Sequence, residues 1–372
     1  MVLRSAPRFA VLGGAGAIGR IVVRDLFESS RKNEILVADY NAAAASDVAK
    51  KQRTQRVSAT AADVRDVTRL ASLLAGYSVV VNCTRHQFNL RVMEAALRAR
   101  VHYLDLGGLF VWTRRQLRLN RRFADAGLVA ILGMGCAPGL TNVMAAAAGS
   151  QLKRVDSIRI RVGGIDFNAS KTDFMFPYSA QTIVEELTLP PWKWSGGRFV
   201  QSEPRSGWEL MDFGPPVGRI SLVTTRHSEI ATLPRRFKAK GLRYADFKVG
   251  FDRGFVREVM KRLRSGWKVR DFEALSATRT SPNDYEISRV IVRGGGQSIV
   301  MDCHARSNPK WPASAGDIDT ACPASIAAQM IARGIVDRPG VWPPEDIVPA
   351  DFLFAECEKR GMKFRTTAPE HK

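Results

Sequence analysis

The sequence predicts an α/β protein: a doubly wound parallel sheet, joined to a second α+β domain built on a mostly antiparallel sheet. Three observations carry that reading. Residues 9–41, FAVLGGAGAIGRIVVRDLFESSRKNEILVADYN, run strand, glycine turn, helix, strand, acid. Later apolar runs, 78–83 and 128–132, show no alternation, as befits parallel strands covered on both faces. After residue 150 the pattern changes. Ile158, Ile160 and Val162 alternate with Arg159 and Arg161, the period of a half-buried strand.

The first strand, Phe9–Leu12, runs into Gly14-Ala15-Gly16-Ala17-Ile18-Gly19, a G-x-G-x-x-G. Ile21, Val22, Leu26 and Phe27 are spaced for one face of a helix, and Ile35–Ala38 is a second strand. Asp39 ends it, twenty residues after Gly19. Each part has a mechanical use in holding a dinucleotide. Gly14 serves the tight turn, Gly16 lets backbone approach the pyrophosphate, and Gly19 lets helix pack on strand. Ala17 and Ile18 open the helix, whose N-terminal N–H groups suit phosphate. Asp39 is placed to accept hydrogen bonds from the adenosine ribose. Its charge opposes a 2′-phosphate, and Tyr40 and Asn41 supply no arginine to offset it. NAD is therefore expected over NADP; FAD shares the fingerprint. Together these elements predict a Rossmann domain.

Downstream, Asp63 and Asp66 open a helix through Leu70–Leu74, closed by Gly76. The strand at 78–83 ends in Thr84-Arg85-His86-Gln87. A helix, Asn89–Ala99, and a strand, Val101–Leu104, lead to Asp105-Leu106-Gly107-Gly108. A helix at Leu117–Gly127 and a strand at Leu128–Leu132 then reach Cys136–Asn142, with a helix at Val143–Gly149. An open α/β sheet presents the carboxyl ends of its strands to a ligand. The three strand ends are thus the expected substrate wall, with Gly163–Asp166 contributed by the second domain. That domain holds strands at Arg198–Ser202, Arg219–Thr224, Ala245–Val249, Ile287–Gly294 and Ser298–Cys303, with few helices. A last helix, Pro323–Arg333, precedes a tail punctuated by Pro and Gly.

Composition bounds the partners. A chain of 372 residues can hold two cores, and 45% hydrophobic residues suit a globular protein. No apolar stretch is long enough for a membrane span, and MVLRSAPRF lacks a signal core. The five cysteines are scattered without C-x-x-C spacing. That argues against disulfides and against a metal site, and for a reducing cytoplasm. The net charge of +20 could draw nucleic acid or an anionic membrane. But the cations are spread along the chain in helix-like segments such as RTQR, RRQLRLNRR and REVMKRLRSGWKVR, as on solvated faces. A small-molecule substrate is the expected partner, rather than nucleic acid or membrane.

Candidate chemistry gathers at the strand ends. Arg85 suits a substrate carboxylate, with Gln87, Asn142 and Gly164 as further substrate contacts. Asp105 could hold a substrate ammonium or take its proton; otherwise it caps the Gly107-Gly108 turn. His86 follows a parallel strand at the nicotinamide end and is the second catalytic candidate. Thr84 and Gly107 are placed for cofactor contact. His102 lies inside a strand and reads as structural. Cys83 and Cys136 read as buried small residues. Thr141 and Asn142 are helix caps by default.

Six segments in this order resemble the saccharopine dehydrogenase-like oxidoreductases, and among them the lysine 6-dehydrogenase branch. They are GGAGAIG, VVVNCTRHQFN, VHYLDLGG, GCAPGLTN, RVGGI and ARGIVDRPGVWPPEDIVP. The resemblance implies a Rossmann domain over 1–142 and 315–372, interrupted by a substrate-binding and dimerisation domain over 143–314. It implies a homodimer and NAD(P)-dependent oxidation of an amine CH–NH group, or the reverse. Saccharopine-forming members carry an acid where this chain has Ala137 and a cysteine where it has Val162, which points to the lysine-oxidising branch. Their R-Y-x-G-H segment is replaced by Phe247-Lys248-Val249-Gly250-Phe251. That replacement keeps open an alternative, a non-catalytic NAD-binding regulator that retained the fold.

Overall fold

The computed structural model describes residues 6–169, 174, 176–276, 282–367 and 370–371. The chain forms two compact units: Met1–Val143 with Asp319–Arg360, and Met144–Ile318 with Gly361–Lys372.

The first unit is built on β1 (Arg8–Leu12), β2 (Glu34–Asp39), β3 (Val57–Ala61), β4 (Val79–Asn82), β5 (His102–Asp105) and β6 (Val129–Ile131). A strand from the end of the chain, Gly340–Trp342, joins beside β6, and every pairing in this sheet is parallel. The order β6-β5-β4-β1-β2-β3 reverses direction of winding between β1 and β4, the crevice where such sheets bind ligands. Phe9–Leu12 and Val79–Val81 are fully buried, which explains their unbroken apolar runs.

Several elements depart from expectation. β3 and the helix Ala42–Lys51 escaped notice because VSATA and AAAASDVAKK carry weak periodicity. The expected helix 117–127 is a 3-10 turn, Leu117–Leu119, followed by a helix at Asn120–Asp125, and a further helix, Leu109–Gln116, precedes it. The helix assigned from Pro323 begins at Ala315. Its start is a capping box: the Ser314 hydroxyl accepts from the Asp317 N–H and the Asp317 carboxylate from the Ser314 N–H, both at 3.0 Å. Pro323 is an interior residue of that helix rather than its first.

The second unit holds β7 (Ser157–Asp166), β8 (Trp192–Ser195), β9 (Arg198–Gln201), β10 (Glu209–Asp212), β11 (Arg219–Thr224), β12 (Tyr244–Gly250), β13 (Asp284–Gly294) and β14 (Gln297–Arg306). Lys363–Thr366 adds an edge strand on β14, so the chain end expected in the first unit pairs here. The order is β10-β11-β12-β7-β13-β14, antiparallel except for β12 against β7. The alternation read from the sequence is present. Ile158, Ile160 and Val162 are buried on one face, and Arg161 lies on the other. The unit has more helix than expected, with Ala180–Thr188, Glu229–Phe237, Arg253–Arg264 and Val269–Ser276.

Candidate functional site

The glycine turn follows β1, and its geometry reassigns the glycines. The residue with positive φ is Gly13, at 68°. Gly14 is needed for closeness instead: a Cβ there would lie 2.8 Å from the Val37 side chain and 2.9 Å from the Val11 carbonyl. A Cβ at Gly19 would collide with the Gly13 carbonyl, so helix and turn could not close. Gly16 and Ala17 are exposed at the start of the helix Ala17–Ser29. First-turn N–H groups have no partner inside their helix, and here they open onto an accessible surface. The cradle fits a pyrophosphate.

Asp39 ends β2 and reaches back to the turn. Its Oδ2 accepts from the Ala15 N–H at 3.0 Å, and its Oδ1 accepts from the Asn41 N–H at 3.0 Å. It therefore fixes the turn while its carboxylate stays part-exposed beside it. The sequence reading found no arginine nearby, but the fold brings one. The Arg65 guanidinium lies over the Tyr40 ring, 5.7 Å from its centroid, and is forked onto Asp63 at 2.7–3.0 Å.

The loop after β4 abuts the turn: a Cβ on Gly13 would touch the Cys83 carbonyl and the Thr84 nitrogen. The Thr84 hydroxyl donates to the Asn82 side-chain oxygen at 2.6 Å, and the Thr84 N–H to the same oxygen at 3.1 Å. Arg85 and Gln87 are exposed, and His86 is half-buried with its ring 6.1 Å from that of Trp112. Burial, helped by the Asp105 charge, pushes the Cys83 thiol up to about 12, so it remains a thiol.

Of the two roles open to Asp105, the geometry matches the cap of the Gly107 turn. Asp105 is 1% exposed, and both oxygens are taken. Oδ1 accepts from the Gly107 and Gly133 N–H groups at 2.9 and 2.7 Å. Oδ2 accepts from the Tyr103 hydroxyl at 2.7 Å and the Gln116 amide at 2.5 Å. Burial raises its pKa against the pull of those four donors. This is a clamp on loops rather than a hand held out to substrate. Gly107, at φ 126°, is the turn it clamps.

Asn142 is buried in the first turn of the helix Leu140–Ser150. Its oxygen accepts from the Gly139 N–H at 3.1 Å and its amide donates to Glu345 at 2.8 Å. Thr141 donates to the Cys136 carbonyl at 3.2 Å. The His102 Nδ1 accepts from the Val129 N–H at 3.0 Å, the structural role expected. Glycines and acid, Thr84–Gln87, Asp105, Gly107 and Asn142 thus belong to the first unit. Gly164 belongs to the second, exposed on β7 opposite Glu286.

A polar cluster in the second unit was missed. The His227 Nε2 lies 2.7 Å from Glu186 and its Nδ1 lies 3.3 Å from Glu229. The ring stacks on Phe247 at 3.6 Å, and Tyr178 donates to Glu186 at 2.5 Å. Burial opposes a charge on His227, yet the Glu229 and Glu186 carboxylates raise its pKa to about 9. The partners come from three elements, which no local spacing reveals.

A parallel sheet of this order, with its glycine cradle and strand-end acid, defines a Rossmann-type dinucleotide-binding protein. The chain belongs to the saccharopine dehydrogenase family of oxidoreductases: residues 9–131 match the saccharopine dehydrogenase NADP binding domain and residues 135–362 the saccharopine dehydrogenase C-terminal domain. The family takes a nicotinamide cofactor. The chain is 25% identical to a carboxyaminopropylagmatine dehydrogenase of Synechocystis sp., covering 94% of this chain and 95% of that one. It is 25% identical to a carboxynorspermidine synthase of Vibrio alginolyticus, covering 82% and 81%. Its fold resembles apo saccharopine dehydrogenase (L-Glu forming) from Saccharomyces cerevisiae, with a TM-score of 0.74 at 14% identity over 97% of this chain and 100% of that one. Among the described residues no helix is long and apolar enough to cross a membrane.

Proposed function

We propose that the protein is an NAD-preferring dehydrogenase acting on the CH–NH group of a carboxyl-bearing amine, an amino acid or a carboxylated polyamine. The observation that carries this is the glycine cradle with Asp39 beside strand ends that present Arg85 and His86. Two relatives named for carboxylated amines support the substrate class. The lysine 6-dehydrogenase branch has no such support, so the carboxylated amine replaces lysine as the favoured substrate. The five free cysteines fit a cytoplasmic setting. A homodimer through the second unit's sheet remains part of the proposal.

The roles follow from the chemistry. The bound nicotinamide supplies the hydride acceptor, or the donor in reverse. First-turn N–H groups at Ala17 and Ile18 hold the pyrophosphate, and Asp39 accepts from ribose hydroxyls. Arg85 binds the substrate carboxylate with Gln87 beside it. His86 takes the amine proton at a ring nitrogen before the C–H bond breaks and returns it in imine reduction. Asn142, bonded to Gly139 and Glu345, holds the start of its helix within the first unit. Asp105 positions the loops and exchanges no proton.

The test is a screen for NADH formation with amino acids and N-carboxyalkyl amines, with the carbonyl-plus-amine reactions run in reverse. Turnover of such a compound is expected. Arg85→Ala should then raise KM chiefly, at a cost of about 1.5–3 kcal/mol for a hydrogen bond to a charged group. An unchanged KM would remove Arg85 from the site. Binding of NAD without turnover of any amine would favour the regulator.

A further inference from the structure

Asn82, Asn89, Tyr103, Asp105 and Gln116 are each 0–1% exposed, and together they form a continuous buried network in the first unit. The Asn82 amide donates to Asn89 at 2.9 Å and to the Tyr103 oxygen at 3.3 Å. The Asn89 amide donates to the Gly107 carbonyl at 3.1 Å and to the Gln116 oxygen at 3.3 Å. Tyr103 and Gln116 both donate to Asp105. Its ends are backbone: Thr84 after β4, Gly107 after β5, and Gly133 after β6. The Met134 N–H adds a bond to the Asp105 carbonyl at 2.7 Å.

We propose that this network is a positioning device that holds the loops after β4, β5 and β6 as one wall for the nicotinamide half of the cofactor, with Tyr103 and Gln116 as its positioning residues. The inference rests on the dinucleotide reading of the first unit. A doubly wound sheet binds one nucleotide on each half, so β1–β3 hold the adenosine side and β4–β6 the nicotinamide side. The network ties together only loops of the second half. The adenosine side has its own bonds, from Ala15 and Asn41 to Asp39. An apolar core would bury these positions without the desolvation that five polar groups incur. What apolar packing cannot do is fix two backbone amides on one carboxylate oxygen and couple them to a third loop. Every member is satisfied, the condition under which a buried network specifies one geometry.

Tyr103→Phe removes one oxygen, the link between Asn82 and Asp105. Gln116→Leu removes the link between Asn89 and Asp105. For each variant and wild type, dissociation constants are measured for NADH and for ADP-ribose, which lacks the nicotinamide. If wild type prefers NADPH, that cofactor and 2′-phospho-ADP-ribose take their place. Both variants should bind the reduced cofactor about tenfold more weakly while the fragment stays within about twofold, the loss of roughly one hydrogen bond confined to one half of the site. The ratio of the two constants ignores the fraction of protein folded, so a merely stabilising network would leave it unchanged. Equal weakening of both ligands, or of neither, overturns the proposal, and Tyr103→Phe alone decides it if Gln116→Leu does not fold. Wild type that binds neither ligand overturns the dinucleotide reading instead.

Discussion

Asp105 and Arg161 are each ionisable and each 1% exposed, one in either unit, and the fold handles them in opposite ways. Asp105 is held by four neutral donors among the described residues, two of them backbone N–H groups that converge at parallel strand ends. Arg161 meets counter-charge. It forks onto Asp246 at 2.9 and 3.0 Å and touches Glu209 at 3.0 Å. The sheet makes that necessary. Arg161 stands directly between Lys248 on β12 and Arg289 on β13, a row of three cations. Like charges in register repel. Glu209 relieves one side by bonding Lys248 at 2.6 Å as well, and Asp302 takes Arg289 at 2.7 Å on the other. Strand-end loops can hold charge with dipoles, whereas the face of a mixed sheet, whose backbone groups are spent on neighbours, holds it with ions.

The largest expected effect tests this contrast. Arg161→Met strands the buried Asp246 and should cost about 3–5 kcal/mol of stability, the penalty for breaking a buried pair. Asp105→Asn keeps one acceptor and turns the other into a donor facing donors, at about 1–3 kcal/mol. Urea midpoints of the two variants give the comparison. Equal losses would mean that ionic and dipolar compensation are interchangeable here.

The same contrast explains what the sequence reveals. Asp105 and Gly107 are two residues apart, and the turn they make is visible as D-L-G-G. The cradle and Asp39 are legible because their partners are local or separated by one helix. Gln116 was hidden, since a glutamine in an irregular helix carries no signal. Arg161 read correctly as the outward face of an alternating strand, yet that face is buried. Its partner Asp246 lies 85 residues away and Glu209 48. Glu186 and His227 are 41 residues apart. Such pairs are set by register and by packing of helix on sheet, neither of which a single strand's period encodes.

His227 sharpens the ionic side. Its pKa is raised from 6.5 to about 9 in the folded protein. A raised value means the folded state holds the proton more tightly. The stabilisation is therefore complete below pH 6.5 and lost as pH rises through about 9. Wild type should lose about 3 kcal/mol more than His227→Gln over that interval, from the linkage of proton binding to folding. Denaturation midpoints at pH 6.5, 8 and 9.5 measure it. Parallel curves would show that Glu186 and Glu229 do not depend on an imidazolium.

Asp39 probes the dipolar side, where one carboxylate holds the turn and, in the proposed function, the ribose. Asp39→Ser removes the charge that opposes a 2′-phosphate. It should shift the NAD-to-NADP affinity ratio toward NADP by about tenfold, equivalent to 1.4 kcal/mol. Affinity for both should fall, because the bonds from Ala15 and Asn41 are weakened too. Tighter NADP binding by wild type would show that Asp39 does not set the preference.

The smallest effect belongs to His102, the first unit's counterpart to His227. Both rings are drawn out of solvent, but His102 has a backbone N–H for company where His227 has two carboxylates. Because Nδ1 accepts from the Val129 N–H, that nitrogen must be unprotonated, and burial lowers the ring's pKa below 6.5. A lowered value reverses the sign. The unfolded chain takes the proton first, so stability is lost as pH falls below 6.5, where His227 is at its most helpful. His102→Asn keeps an acceptor at the same place on the side chain and cannot titrate. Between pH 7 and 5 it should flatten the fall in the urea midpoint relative to wild type, by less than the His227 effect above pH 7. If the fall is just as steep in the variant, the acid sensitivity of this unit lies in its carboxylates, and the bond from Val129 holds either form of the ring.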